Sequence, residues 1–403
     1  MKNDVKFLCV LWLVLMLFNV PQLLFRDIGY NTALELAHSF LEGRLDVDPP
    51  AEPLDLILWE GRYYVPFPPA PALILTPLVA LFGRGFNPLW ITPLLGLLTG
   101  GVLLSLYRRI TRSDEISYLL TVGLLLGTAY WNCVRYAFDT YLAHLLAVGF
   151  VSLALWETWG RQRGWLIGLS LGIACASRQL SVFIIPFVLV ALWLRPRNGS
   201  PWWRRLEPVF TALSVLGLIF FALLWYNWAR FGSPFETGYG WVIEDEWYAY
   251  RLERWGNFNW RYVPSNFLRM FVMGFAIEFA PPAYMVPRMS PWGTSLTFAS
   301  PFIFYAGWGR LRGPVGVTGA AWLCVALVLA GVLLHKSAGG GWQINGMRYA
   351  LDFLPLLSVL VATGMQRFDT PAGVRLRRAL VAYSIMLNVV AITLAHTRLL
   401  FPS

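Results

Sequence analysis

Charged residues are scarce in this sequence. Asp, Glu, Lys and Arg make up only 13% of its 403 residues, whereas 57% are hydrophobic; a soluble domain usually has about a quarter charged residues. The apolar residues fall in blocks of about 20, the length that crosses the core of a bilayer. Solenoid repeats, low-complexity tracts and inverted repeats typical of secondary transporters are missing as well. We therefore expect a single polytopic membrane domain over residues 1–403.

Cysteine is also rare. Cys9, Cys133, Cys175 and Cys324 lie within or at the ends of apolar blocks, without disulfide or metal spacing, so we expect them to be buried. The first apolar block, residues 7–25, is too long for the apolar core of a signal peptide, and no small-x-small cleavage site follows it. This pattern predicts an uncleaved first span.

Negative charge is outnumbered, which leaves a formal net charge of +10. In a soluble protein that excess would suggest nucleic acid. Here the basic residues cluster between apolar blocks, and the positive-inside rule explains them without a nucleic-acid partner. Placing every basic cluster in the cytoplasm predicts about eleven spans and an external C-terminus. The predicted spans are 7–25, 88–107, 115–132, 140–158, 164–178, 180–194, 207–228, 295–309, 314–334, 349–365 and 377–397.

Three connecting segments are then external, namely residues 26–87, 229–294 and 335–348. Within the first, the stretch from Tyr30 to Val47 has helical apolar spacing, which predicts an amphipathic helix on the outer leaflet with a stop at Gly43. Glu60-Gly61 predicts a turn. Residues 69–82 are apolar but short and contain prolines, so we expect an interfacial or re-entrant helix there.

Ionisable residues in unusual places collect at this external face. Asp27 and Asp139 lie at the outer ends of spans, Arg178 lies at the tip of a short hairpin, and Arg348 opens a span after three glycines. A guanidinium fork matches phosphate oxygens, so these arginines can neutralise the phosphate of a lipid carrier. The alternative is a set of ion pairs between helices, for example Arg348 with Asp27 or Asp139.

Several motifs, in order along most of the chain, resemble those of the GT-C type glycosyltransferases. They include "ALELAHSFLEGRLDV" and "GRYYVPFPPAPALILTPLVALFG" in the first external segment, and later "FDTYLAHLLAVG", "GLSLGIACASRQ", "RFGSPFETGY", "LTFASPFIFYAG" and "NGMRYALDFLPLL". The chain is similar to the bacterial protein-mannosyltransferase-like and aminoarabinose-transferase-like branch of that superfamily.

The resemblance implies an all-α polytopic fold with juxtamembrane helices in the first external loop. It also implies a polyprenyl-phosphate-linked sugar donor, used on the extracytoplasmic face of a bacterial-type cytoplasmic membrane. By position, Asp27 matches the acid that usually acts as base, and Asp139 matches a second acid. Arg178 and Arg348 match positions where basic residues meet the carrier phosphate.

We therefore expect hexosyl or pentosyl transfer to a hydroxyl group of an unidentified glycan, lipid or protein acceptor. Asp27 is the expected catalytic base, and the expected substrate-binding residues are Arg178, Arg348, Asp139, Asp55 and Tyr64. The sequence requires no cofactor, and a divalent metal, Mg²⁺ or Mn²⁺, is the one candidate, with Asp139 as its ligand. Two alternatives stay open: a transporter or flippase of a lipid-linked sugar, and a non-catalytic membrane assembly protein.

Position along the helices separates the three acids. Asp55 lies in a loop near a turn, so we expect a solvated carboxyl with a pKa near the usual value of about 3.9. Asp139 begins a helix, whose N-terminal dipole stabilises the carboxylate and suits a positioning role. Asp27 follows the C-terminal end of a span, where exposed carbonyl groups disfavour its charge, so we expect it to be the strongest base.

Overall fold

The computed structural model describes residues 2–25, 29–194, 203–274, 276–278, 286–288, 293–313, 315–337 and 346–396. Within these ranges the chain is almost entirely helical. The α-helices are α1 (Lys2–Phe25), α2 (Thr32–Leu41), α3 (Ala70–Phe82), α4 (Thr92–Thr111), α5 (Asp114–Leu126), α6 (Tyr130–Tyr136), α7 (Asp139–Thr158), α8 (Gly164–Cys175), α9 (Ile185–Leu194), α10 (Trp203–Phe231), α11 (Glu246–Trp255), α12 (Val263–Phe271), α13 (Leu296–Ala299), α14 (Val315–Leu334), α15 (Leu354–Met365) and α16 (Pro371–His396). Two short antiparallel hairpins pair β1 (Ile57–Trp59) with β2 (Arg62–Tyr64) and β3 (Ala276–Glu278) with β4 (Val286–Arg288).

The predicted polytopic membrane class is confirmed, but the predicted number of about eleven spans is not. Among the described residues, six helices are long and apolar enough to cross a membrane: Asn3–Leu24, Pro88–Thr111, Asp139–Thr158, Leu206–Phe231, Gly316–Leu334 and Pro371–Thr393. The bent pair α5 and α6 adds a seventh if it counts as one span. The predicted span 295–309 is instead the four-residue α13 followed by a 3₁₀ helix, Pro301–Trp308. Pro301 offers no backbone donor, which favours such a short, tightly wound segment over a continued α-helix.

The bend between α5 and α6 is held by side chains from distant helices. The two helices differ in direction by 49° across residues 127–129. Asn388 on α16 donates to the carbonyl oxygens of Leu126 (2.7 Å) and Thr128 (3.1 Å). At the far end of α6, Thr92 donates to the carbonyl oxygen of Val134 at 2.7 Å. Backbone groups released by a break inside a membrane must find partners in the protein, and these polar residues supply them.

Helices α8 and α10 pack through a row of glycines on α8. Gly164, Gly168 and Gly172 follow one another at intervals of four residues, so they share a helix face. A Cβ atom at Gly168 would lie 2.5 Å from the carbonyl oxygen of Ala212 on α10. The missing side chains therefore let the two backbones approach closely, as small residues do in membrane helix pairs.

The segment that follows α1, from residue 29 to residue 87, folds largely as the sequence predicts. The amphipathic helix is α2, shorter than the predicted stretch, and Gly43 follows it with a positive φ of 72°. The predicted interfacial helix is α3, and it packs against α2. Glu60 and Gly61 both have positive φ, +48° and +77°, and form the two-residue turn between β1 and β2.

The cysteine prediction is wrong at one position. Cys133, Cys175 and Cys324 are buried, but Cys9 is exposed. Cys9 lies on α1, which also exposes large apolar side chains such as Leu13 and Leu17. Because α1 lies at the edge of the bundle, that helix face points to the lipid rather than to the protein core.

Ion pairs gather at one end of the bundle. Arg108 at the end of α4 contacts Asp4 near the start of α1 at 2.7 Å, and Arg378 near the start of α16 contacts Glu115 at the start of α5 at 2.8 Å. Helix α7 ends near the same region, where Trp156 lies against Arg109 of α4. The start of α7, with Asp139, therefore lies at the opposite end.

Candidate active site

Asp139 is held where the first residues of α7 and α2 meet. Asn31 accepts hydrogen bonds from the first backbone N–H groups of α2 and donates to the carbonyl oxygen of Ala137, at 3.3 Å. The next residue, Thr32, donates from its hydroxyl group to Oδ2 of Asp139 at 2.6 Å. Asp139 is 5% exposed. The segment that caps α2 thus positions a buried carboxylate.

Arg178 forms a paired contact with a carboxylate about 170 residues further along the chain. Its Nε and Nη2 atoms donate to Oδ1 and Oδ2 of Asp352 at 3.0 and 2.7 Å. Nδ1 of His144 lies 3.2 Å from Oδ1 of the same carboxylate. Asp352 ends a 3₁₀ helix, Arg348–Asp352, that precedes α15. The predicted alternative of an Arg–Asp pair between helices is therefore realised, but by Arg178 and Asp352.

Arg348 lies beside the start of α7. Its Nη1 atom donates to the hydroxyl group of Thr140 at 3.2 Å, and its guanidinium carbon lies 4.2 Å from the ring centre of Tyr141. Tyr349 lies near both arginines, with its ring centre 4.7 Å from the guanidinium of Arg178 and 5.7 Å from that of Arg348. We call Arg178, Arg348, Tyr349 and Asp352 the arginine cluster.

Asp55 is held by the segment around Ile243, and the charge of Arg348 from the cluster acts on it. Its backbone N–H donates to the carbonyl oxygen of Ile243 at 2.9 Å, and the N–H of Ile243 donates back to Leu56 at 2.8 Å. The side chain is reached by solvent, yet burial among surrounding protein atoms raises the pKa of the Asp55 carboxyl above its usual value, and Glu244 adds to this. The side chain is solvated as the sequence predicts, but the pKa of its carboxyl lies above the ordinary value, because residues 242–244 pack beside Asp55.

A buried lysine completes this side of the site. Lys336 is 3% exposed and forms an ion pair with Glu244. The charges of Lys336 and Arg348 oppose the rise in the pKa of Asp55, although burial outweighs them. The stretch Glu244-Asp245-Glu246 is thus a structured element, in which Asp245 caps α11 by accepting from the backbone N–H of Tyr248 at 3.0 Å.

Two predicted site residues are not brought into the arginine cluster. Tyr64 is buried in a small apolar group with Ile57 and Phe231, and Asp46 and Arg62 are the charged groups that act on its hydroxyl. Asp27, the predicted base, lies outside the described residues.

Other residues of the site were not singled out by the sequence. Lys336 is buried and Tyr349 lies near both arginines, but their partners come from distant parts of the chain, so no local pattern marks them. For Asp352 and His144 the sequence gives a weak indication. Each lies about one turn beyond a predicted site residue, Arg348 and Asp139.

The described residues do not fit a metal site. Among them, no group of three or more His, Cys, Asp or Glu side chains is placed to hold a metal ion. The predicted ligand, Asp139, accepts a hydrogen bond from Thr32, and the acid that acts on it is Asp55. We therefore assign no chemical step to a metal.

Solved structures match nearly the whole chain, although no protein-family model and no curated protein does. ArnT from Cupriavidus metallidurans bound to undecaprenyl phosphate is 15% identical, with a TM-score of 0.50 over 99% of this chain and 72% of ArnT. The same enzyme in its apo state gives 14% identity and a TM-score of 0.50, over 98% and 76%. Archaeal oligosaccharyltransferase AglB from Archaeoglobus fulgidus, with an inhibitory peptide and a dolichol-phosphate, is 9% identical. Its TM-score is 0.55 over 96% of this chain and 55% of AglB, so the chain spans about half of AglB.

The chain has the GT-C fold. The fold predicted from the ordered motifs is thereby confirmed. At the level of residues, this GT-C fold places two arginines and two carboxylates, Asp55 and Asp139, at one end of a bundle. Cations and carboxylates so arranged can bind an anion and accept a proton from a neighbouring hydroxyl group.

Proposed function

We propose that this chain is a glycosyltransferase that moves a sugar from a polyprenyl phosphate carrier to an acceptor hydroxyl group. The observation that carries the proposal is the arginine cluster, which the GT-C fold brings to the same end of the bundle as Asp55 and Asp139. Two structural neighbours, by their descriptions, hold undecaprenyl phosphate and a dolichol-phosphate. The proposed site faces the extracytoplasmic side of a bacterial-type cytoplasmic membrane, and the proposed sugar is a hexose or a pentose.

The proposed reaction is a single displacement. The acceptor oxygen attacks the anomeric carbon, the bond from that carbon to the phosphate oxygen breaks, and the phosphate leaves on its lipid with the bonding electrons. A carboxylate takes the proton of the acceptor hydroxyl. One displacement inverts the anomeric centre.

The two arginines have different parts in this scheme. Asp352 fixes the orientation of Arg178 with two hydrogen bonds and balances its charge. Arg348 lies beside the start of α7, against the hydroxyl group of Thr140 and the ring of Tyr141, and it is the candidate to meet the leaving phosphate. A cation fixed in place before the reaction stabilises developing charge without reorganisation.

Three carboxylates are candidates for the base. Asp27 stays the first candidate from the family position. Asp139 is the second, because it is buried at the start of α7, where the hydroxyl group of Thr32 donates to it, at the same end of the bundle as the arginine cluster. Asp55, whose pKa is raised, is the third.

The decisive experiment is transfer of a labelled sugar from polyprenyl phosphate by the purified full chain. We expect Asp27→Asn to lower turnover at least about 100-fold, the low end of a general-base contribution, while donor binding persists. Arg348→Ala should weaken donor binding about 10- to 100-fold, as loss of a charge-assisted contact does. The exposed Arg261→Gln is a matched control.

Other outcomes assign the alternatives. If the purified protein binds the donor but neither transfers nor hydrolyses the sugar, the proposed enzyme activity is refuted and a flippase is favoured. If Asp139→Asn abolishes turnover and Asp27→Asn does not, Asp139 is the base.

A further inference from the structure

One short helix between α10 and α14 turns its apolar side away from the protein. Helix α12 buries Asn266 and Met270, which lie one turn apart, whereas Phe267, Leu268 and the adjoining Val272 are between 47% and 59% exposed. A helix on a water-facing surface usually buries its apolar side and exposes its polar side. In α12 the polar Asn266 is inside and the large apolar side chains are outside.

The first half of α12 is tied to the end of a membrane-spanning helix. Nδ2 of Asn266 donates to the carbonyl oxygens of Leu333 and His335, both at 2.8 Å. The backbone N–H of Asn259, just before α12, donates to the carbonyl oxygen of Leu334 at 2.8 Å. Leu334 is the last residue of the α14 span. The start of α12 therefore lies at the depth where that span leaves the apolar core of the bilayer.

The other end of α12 contacts a second spanning helix through α13. The hydroxyl group of Thr297 on α13 donates to the carbonyl oxygen of Phe271 at 2.5 Å. The next residue, Phe298, packs against Tyr383 of α16 with the ring centres 6.4 Å apart. Tyr383 lies inside the span Pro371–Thr393. Both ends of α12 are thus held by elements that lie in the membrane or at its edge.

The two spans that hold α12 also expose large apolar side chains of their own. These are Leu323 and Leu327 on α14 and Met386 and Val390 on α16. On a spanning helix such side chains face lipid, since hydrocarbon covers the outer surface of the bundle. The outward face of α12 lies between these two helices, so lipid is the solvent that already surrounds its supports.

The residues that precede α12 are of the interfacial type. Trp260 is exposed, and the guanidinium carbon of Arg261 lies 5.8 Å from the ring centres of both Trp255 and Trp260. Tryptophan collects where the apolar core meets the headgroups, and basic residues line the polar side of helices that lie in this plane. The sequence order from Trp260 to Val272 therefore passes from headgroup-type to hydrocarbon-type side chains.

We propose that the outward face of α12, formed by Phe267, Leu268 and Val272, is a membrane-binding surface in the leaflet nearest the candidate active site. The apolar side chains lie at the boundary between hydrocarbon and headgroups, with Trp260 and Arg261 at the level of the headgroups. The occupant of this face is the bilayer itself. The surface requires only lipid contact, and it stands whether or not the chain transfers a sugar.

Membrane contact at α12 also supports one wall of the candidate site. Asn266 holds the carbonyl oxygen of His335, and the next residue, Lys336, forms an ion pair with Glu244. Glu244 follows the residue whose backbone holds Asp55. The bilayer therefore fixes, through α12, the depth of the segment that borders Asp55.

The test uses the full chain reconstituted in lipid vesicles, with Cys9→Ser and an environment-sensitive fluorophore on a new cysteine, Leu268→Cys. Glu253→Cys, at an exposed charged position of α11, is the matched control. We expect nitroxide-labelled lipid to quench the fluorophore at position 268. Aqueous iodide should quench it about 10-fold less than at position 253, because a side chain on such a helix lies roughly 5–10 Å into the interface.

A second variant tests the same face by adding a charge. A charged side chain is costly in hydrocarbon, so Leu268→Glu should displace α12 and make a fluorophore at Val272→Cys several-fold more accessible to iodide. Quenching at position 268 by iodide and not by lipid, in protein that stays monodisperse, overturns the proposal. Protection of position 268 from both quenchers also overturns it, because a protein partner or a second copy of the chain would then cover the face.

Discussion

Asp352 is a fully buried carboxylate shared by Arg178 and His144. In Asp352→Asn the guanidinium of Arg178 stays in place but loses its compensating charge. Breaking a buried ion pair from one side usually costs about 3–5 kcal/mol. We expect a clearly lower melting temperature for this variant, measured by the loss of monodisperse protein on heating.

The double variant Arg178→Gln with Asp352→Asn is the control, because it removes both charges. It should regain part of the lost stability. If Asp352→Asn alone melts like the wild type, the pair is not the support for the site that its geometry indicates.

The raised pKa of Asp55 makes a prediction about pH. The folded state holds the Asp55 proton more tightly than the unfolded state does, because burial and Glu244 disfavour the carboxylate. As pH rises above the usual value of about 3.9, the unfolded chain loses its proton first, so the free energy of unfolding falls until the folded-state pKa is passed. Asp55→Asn should therefore be more stable than the wild type near neutral pH and similar to it in acid.

Asp48 gives a control of opposite sign. Hydrogen bonds from Arg84 and Arg44 lower the pKa of the Asp48 carboxyl. Its contribution to stability is present above the usual pKa and is lost as pH falls, so Asp48→Asn should destabilise the protein at neutral pH. Melting temperatures of both variants from about pH 2 to pH 7 check the two signs. A shift in the same direction for both would contradict the assignment.

At the scale of elements, the sequence predicted the helices and turns that are fixed by residues close together in the chain. Helical spacing predicted α2, and Glu60-Gly61 predicted the turn between β1 and β2. The bend after α5 and the 3₁₀ helix at Pro301–Trp308 were missed. The backbone of the bend depends on remote partners such as Asn388, which lies about 260 residues away in the chain.

The glycine face of α8 supports a direct test of helix packing. At Gly168 a methyl group would lie 2.5 Å from the carbonyl oxygen of Ala212, whereas at Gly217 on α10 no heavy atom lies within 4 Å of the added carbon. Gly168→Ala should force the helices apart and destabilise the protein by roughly 1–3 kcal/mol, the usual cost of overpacking.

Gly217→Ala is the matched control in this pair. It should be neutral or slightly stabilising, since alanine favours a helix by up to about 1 kcal/mol. Thermal melting of both variants compares them. Equal behaviour would show that the close contact of α8 and α10 does not form.

For the whole molecule, charge placement predicted which residues gather at one end, but not which pairs form. Asp55, Asp139, Arg178 and Arg348 were all expected at the external face, and the structure places them at the same end of the bundle. The partner of Arg178 lies 174 residues away, and the sequence contains no local signal for it. The raised pKa of Asp55 likewise depends on residues 242–244, which lie against the segment that contains Asp55.

The arrangement of the whole bundle predicts which face each loop reaches. Arg84 follows α3 and contacts Asp48 at 3.1 Å, in the same external segment that supplies Thr32 to Asp139. If α3 crossed the membrane, Arg84 would instead lie with Arg108 and Arg375 at the opposite end.

We therefore expect the cysteine of the Arg84→Cys variant to react with a membrane-impermeant maleimide in right-side-out vesicles. Arg375→Cys, on an exposed position near the start of α16, should react only in inside-out vesicles. Cys9 must be replaced in both variants, because it is the exposed natural cysteine. Labelling of both positions from the same side would show that α3 spans. The reverse pattern would leave the fold intact and invert its orientation, which would move the arginine cluster and the proposed reaction to the cytoplasmic face.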